Sequence, residues 1–251
     1  MQKQHITSRY HLIDAIRGFA LINMLAYHFC YDIFMMNSVD RGWCSYPWVV
    51  VWERFICISF IIISGIAVNF SKNVYKRGLI INLFGFIITA VTVIVIPQEA
   101  VWFGILNLLG CSMIITQLFR KLLDKISPFI GFFISLILFS FSYGIPYRYL
   151  GIFGIRLIRL PDFLYSTNIF ALIGFPSASF RSTDYFPLIP WVFMFVLGYF
   201  LWYCIVKFGL FYVFKKNIFF LSAVGRYSIW IYMIHQPVLA GIAWVLVNLY
   251  K

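Results

Sequence analysis

Between Arg77 and Glu99 the chain places twenty-one consecutive residues without a charge, GLIINLFGFIITAVTVIVIPQ. A run of about 20 apolar residues is what a helix needs to cross the hydrocarbon core of a bilayer. In lipid the backbone must satisfy its own hydrogen bonds, which restricts such a run to a helix. Comparable runs recur along the whole chain. Only 11% of the 251 residues are charged, 63% are apolar, and the mean hydropathy is +0.90. A soluble domain carries about a quarter charged residues, so a soluble enzyme is excluded. The expected class is an all-α integral membrane protein.

Spans are expected near 12–34, 48–70, 78–96, 101–119, 128–145, 187–206 and 226–249, within a single transmembrane domain covering 1–251. Residues 146–186 form an outer or re-entrant segment. Its one apolar run, FLYSTNIFALIGF at 163–175, is thirteen residues long and short for a span; crossing there would make eight helices. Lys3, Arg9, Lys72, Lys76, Arg77, Arg120, Lys121, Lys125, Lys207, Lys215 and Lys216 fall in segments that share one side. The positive-inside tendency makes that side cytoplasmic, with the N-terminus inside a cell membrane and the first helix kept as an anchor. Arg148, Arg156, Arg159 and Arg181 then lie outside. The stretch YRYLGIFGIRLIRL reads either as an amphipathic segment meeting lipid phosphates or as the lining of an anionic-acceptor site.

A net charge of +12 distributed over such loops gives no reason to expect nucleic acid. Cys30, Cys44, Cys57, Cys111 and Cys204 contain no CxxC pair, so a metal held by cysteine is not expected; Cys30 and Cys44 are open to pairing if they face one compartment, but are expected as small residues that pack in the membrane. There is no GxxxxGK[ST] or GxGxxG element to bind a nucleotide.

The first helix carries a polar stripe. Arg17 and His28 are eleven residues apart, which is three turns plus about 20°, so they share a face about 16 Å apart along the axis. Asp14 precedes Arg17 by three residues, within ion-pairing reach. Asp32 follows His28 by four and, near the membrane surface, would ordinarily be solvated. Ionisable groups in a spanning helix usually face the protein interior or a water-filled path. A second interior histidine, His235, sits beside Pro237, which removes one backbone hydrogen bond of its helix.

The run RYHLIDAIRGFALINMLAYHF resembles the first helix of the bacterial relatives of the heparan-α-glucosaminide N-acetyltransferase catalytic domain. It is more distantly similar to type-3 acyltransferases that O-acylate glycans, where a basic residue and a histidine have the separation of Arg17 and His28. FIIISGIAV (60–68), FGILNLLG (103–110), DYFPLIPWVFMFVLGY (184–199) and GRYSIWIYMIHQPVL (225–239) extend the resemblance in order along most of the chain. It departs from the animal heparan enzyme, which has an asparagine at the position of His28 and its essential histidine in the following outer loop. Here that loop, MMNSVDRGWCSYP, has none, so the role passes to His28 and the heparan substrate does not carry over.

The resemblance implies transfer of an acyl group, most simply acetyl, from cytoplasmic acyl-CoA to a hydroxyl or amine of a sugar-type or other small acceptor, without a metal. His28 would be the base, since its ordinary pKa of about 6.5 allows proton exchange near neutrality. Asp14 and Arg17 would organise the inner end, and His235 would line the cavity. Asp184 would serve the acceptor side. Lys76, Arg77, Arg17 and Arg226 would meet the CoA phosphates. A proton-coupled transporter using the Asp14/Arg17/His28 stripe as a relay is the alternative, although no internal inverted repeat is present. A non-catalytic membrane subunit is a third reading.

Overall fold

The computed structural model describes residues 10–249 apart from residue 153; Lys3, His5 and Arg9 lie outside the described residues. In chain order the helices are α1 (His11–Tyr31), α2 (Pro47–Ala67), α3 (Val74–Val95), α4 (Ile105–Leu118), α5 (Arg120–Leu123), α6 (Pro128–Ser142), α7 (Leu188–Lys207), α8 (Phe219–Arg226) and α9 (Ser228–Leu249). Strands β1 (Tyr149–Ile152) and β2 (Ile155–Arg159) form an antiparallel ribbon. Six helical segments, His11–Met36, Pro47–Phe70, Val74–Val95, Pro128–Tyr147, Leu188–Lys207 and Ser228–Leu249, are long and apolar enough to cross a membrane. They coincide with six of the seven expected runs. The chain is an all-α multi-pass membrane protein.

The seventh run, 101–119, behaves differently. It yields only the 14-residue helix α4, about 21 Å long against a hydrocarbon core of about 30 Å. Residues 101–104 are irregular because side chains replace the helical acceptors. Val101 N–H donates to Thr92 Oγ1 at 3.1 Å, Trp102 N–H to Ser182 Oγ at 2.9 Å, and Ile105 N–H to Asp184 Oδ2 at 3.2 Å. Residues 163–175 form no spanning helix. Two short 3-10 turns, Asp162–Tyr165 and Asn168–Phe170, occupy the stretch, and Leu188 and Ile189 N–H tie it down through the carbonyls of Leu172 and Ile173, each at 2.8 Å.

The contacts of the chain divide it into two compact units, 1–63 with 209–251, and 64–208. In the first, α1 packs along α8 and against α9. The α1–α8 crossing is a backbone-to-backbone approach: a Cβ on Gly18 would collide with the Leu221 carbonyl, and one on Gly225 with the Asp14 carbonyl. Ser222 Oγ donates to the His11 carbonyl at 3.1 Å in the same seam. Leu21, Met24 and Ile56 form a core surrounded by Tyr27, Trp52, Phe60 and Tyr232. Trp52 Nε1–H donates to Asn23 Oδ1 at 3.1 Å, satisfying both groups.

In the second unit α3 packs on α4 and α6 on α7. Gly78 and Gly110 face each other across α3 and α4, with Asn82 filling the space beside Gly110. Gly131 of α6 lies against the Phe200 ring, and Gly65 against the Phe195 carbonyl. The Tyr199 phenol donates to the Asp124 carboxylate.

The Gly18–Gly225 approach leaves no room for a methyl group, whereas a Cβ at Gly241 of α9 meets nothing within 4 Å. Gly225→Ala is therefore expected to destabilise the protein by about 1–3 kcal/mol or more, as overpacking does, while Gly241→Ala is neutral or slightly stabilising. Thermal melting of the two variants in one detergent checks the contrast.

Candidate active site

In the first unit, α1 and α9 bring four polar side chains together in two cross-helix pairs. The rings of His28 and His235 are in contact, with centroids 4.8 Å apart and planes at 63°. One turn further along α1, Gln236 Nε2–H donates to Asp32 Oδ1 at 2.8 Å. The spacing explains the match: His28 and Asp32 share a face of α1 as i and i+4, and His235 and Gln236 are adjacent in α9.

Asp32 is 0% exposed, not solvated as the sequence led us to expect. It begins a π-helical turn, Asp32–Met36, that continues α1, and its carbonyl accepts from Asn37 Nδ2 at 2.8 Å. Such turns are frequent at functional sites. The Gln236 amide gives this buried carboxyl group a hydrogen-bond donor, and a buried polar group left without one would be costly. Gln236 was not anticipated. Its signal is faint: an amide beside a histidine in the apolar run MIHQPV.

His235 is buried, and its Nδ1 lies 2.6 Å from the Tyr232 carbonyl. A carbonyl only accepts, so Nδ1 carries the proton, and neutral imidazole then has its lone pair on Nε2. That Nε2 is buried and meets no protein hydrogen-bond partner. Helix α9 runs unbroken through Pro237. Tyr27 packs edge-on against His28 at 5.8 Å between centroids, fixing the ring from its own helix. This arrangement fixes the His235 ring from behind through a backbone carbonyl and sets it against the His28 ring in a buried, aromatic setting.

Nearer the start of α1, Arg17 Nη1 and Asp14 Oδ1 form an ion pair at 3.3 Å, the i, i+3 pairing expected from the spacing. Arg226 is exposed at the end of α8. Glu53 and Arg54 pair at 3.4 Å, and Cys30 and Cys44 are not joined by a disulfide.

The remaining expected residues belong to the second unit. Asp184 accepts from the first N–H of α4, a helix-capping position favourable to a negative charge. Its neighbour Tyr185 donates to the Ala171 carbonyl, and burial pushes that phenol up from its ordinary value, so it stays a donor. Lys76 and Arg77 are exposed near the start of α3, where Arg77 Nη1 reaches Ser71 Oγ at 3.4 Å. Among the described residues no group of three or more His, Cys, Asp or Glu is placed to hold a metal ion.

The family model of the heparan-α-glucosaminide N-acetyltransferase catalytic domain matches residues 9–237. Neither a curated protein nor a solved structure matches the chain. The matched stretch runs from the residue before Tyr10 to Pro237, and so takes in Asp14, Arg17, His28, Asp32, His235 and Gln236. It supports a membrane acetyltransferase-type function, and by that match the chain belongs to the heparan-α-glucosaminide N-acetyltransferase catalytic-domain family.

Proposed function

We propose that the protein transfers an acetyl group from acetyl-CoA on the cytoplasmic side to a hydroxyl or amine of a sugar-type acceptor presented on the other side, with the N-terminus cytoplasmic. The observation that carries the reading is the His28–His235 ring contact, one ring of which keeps a buried Nε2 without a protein partner.

Acyl transfer from a thioester requires a base for the incoming nucleophile and stabilisation of the developing oxyanion. His28 takes the proton as the acceptor oxygen or nitrogen attacks the acetyl carbonyl. The tetrahedral intermediate collapses, the carbon–sulfur bond breaks, and the proton passes from imidazolium to the departing thiolate. His235, its ring oriented by the Tyr232 carbonyl, holds the His28 ring and lines the cavity. The Gln236–Asp32 bond fixes α9 against α1 so that the rings stay in contact. Arg17, kept in place by Asp14, organises the inner end of the path. Arg226, next to the Gly225 that packs against the Asp14 end of α1, supplies a cation for the CoA phosphates.

The first test is thiol release from acetyl-CoA by the purified protein in nanodiscs, with amino sugars and glycans supplied as acceptors. His28→Ala is expected to lower the rate by 10²- to 10⁴-fold, the usual worth of a positioned general base; unchanged release would remove His28 from that role. Asp184→Asn separates two uses of that carboxylate. The amide oxygen can still accept from Ile105 N–H, so a purely capping Asp184 predicts near-normal rates and melting, whereas a carboxylate acting on the acceptor predicts normal melting with a raised KM or lowered kcat.

A further inference from the structure

The arginine-bearing stretch 148–159 is not a helix. Arg148 caps a 3-10 turn with φ +69°, and the chain then folds into the β1–β2 ribbon, with a register shift between Leu150 and Gly151. Gly151 allows the close return, since a Cβ there would strike the Ile155 carbonyl. An isolated two-stranded ribbon is marginal in water. Here β1 rests on α6, but every residue of β2 is exposed, including Ile155 at 65%, Leu157 at 58% and Ile158 at 53%. The register shift leaves Leu157 without a partner in β1, a bulge that breaks the alternation of faces and leaves these three apolar side chains uncovered. Phe163, just beyond it, is 70% exposed.

Two features say what covers this surface. The first is continuity: the spanning segment Pro128–Tyr147 ends immediately before Arg148. Its exposed Phe133, Ile134 and Ile137 are the lipid-facing side of a membrane helix, so the ribbon emerges at the depth where hydrocarbon gives way to headgroups. The second is charge. Arg148 and Arg159 both pair with Asp162, at 3.2 and 3.0 Å, and Arg156 lies over the Tyr149 ring at 5.3 Å. Three arginines against one aspartate leave the ribbon at +2. Guanidinium groups beside exposed Ile and Leu match the boundary between phosphate and acyl chain.

We propose that the β1–β2 ribbon is an interfacial anchor: Ile155, Leu157 and Ile158 enter the acyl-chain boundary of the adjacent leaflet, and Arg156 and Arg159 bind the phosphates of anionic phospholipids. The proposal is independent of the acetyl-transfer reading.

Photo-crosslinking in nanodiscs of mixed zwitterionic and anionic phospholipid tests it, using the full chain with Leu157→p-benzoylphenylalanine. The same probe at Ile137 on the outward face of α6 is the control for lipid contact. Lipid adducts at both positions, with anionic lipid enriched only at 157, are expected. Arg156→Gln should lower that enrichment roughly fivefold, the effect of one cation near a charged leaflet. Crosslinks from 157 to a second copy of the chain would overturn the proposal in favour of a self-interface. Lipid adducts at 137 with none at 157 would overturn it as well, and adducts at 157 without headgroup preference would remove the anionic-lipid part.

Discussion

Helices in a bilayer gain nothing from burying apolar surface against each other, because lipid tails are as apolar as leucine. What holds them is close packing at small residues and the few polar bonds that span a seam. In the first unit this constraint is met by Gly18 and Gly225, which let the α1 and α8 backbones touch. Two long-range side-chain bonds add to it, Trp52 to Asn23 and Gln236 to Asp32. In the second unit Gly78, Gly110 and Asn82 join α3 to α4, and Gly131 joins α6 to α7. The same rule governs the backbone itself. The unwound residues before α4 persist because Thr92, Ser182 and Asp184 accept N–H groups that lipid would leave unsatisfied.

The candidate site uses that same economy of polar groups. Of the bonds joining α1 to its neighbours, the Gln236–Asp32 pair is the one whose removal would leave a carboxylate buried without its amide donor. It lies one turn from the His28–His235 contact. The bond to Asp32 and the ring contact with His28 are thereby carried on consecutive residues of α9. In a medium of low dielectric such an arrangement is rigid when complete and costly when broken.

Much of the architecture could be read directly, because a membrane helix announces itself by length and hydropathy alone. Six of the runs became helices of spanning length, and the Asp14–Arg17 pair followed from a spacing of three. The run at 101–119 misled because its hydropathy is helical along its full length, while the residues that unwind its start, Ser182 and Asp184, lie about eighty positions away. Asp32 misled for a similar reason: its position suggested solvent, whereas it is 0% exposed and meets Gln236 from a helix about two hundred positions away. His28 was identifiable from its own helix. Its contact with His235 was not, because no local period encodes which of several apolar helices will be its neighbour. The arginines at 148–159 left an amphipathic and an acceptor-lining reading open, and their ribbon geometry was not legible because it depends on the tight return at Gly151.

The span of chain between Asp32 and Gln236, 204 positions, bears on biogenesis. Helix α1 emerges from the ribosome long before α9, since chains are made from the N-terminus at about 5–20 residues per second. Asp32 and His28 therefore wait in the nascent protein for partners that have not been synthesised. The site is assembled by one of the later insertion events, and a ribosome-bound or truncated chain lacking Gln236 holds a membrane-embedded carboxylate without the amide that settles it. The polar seam between α1 and α9 is therefore a late product of synthesis, closed only once the residues around Gln236 have entered the membrane.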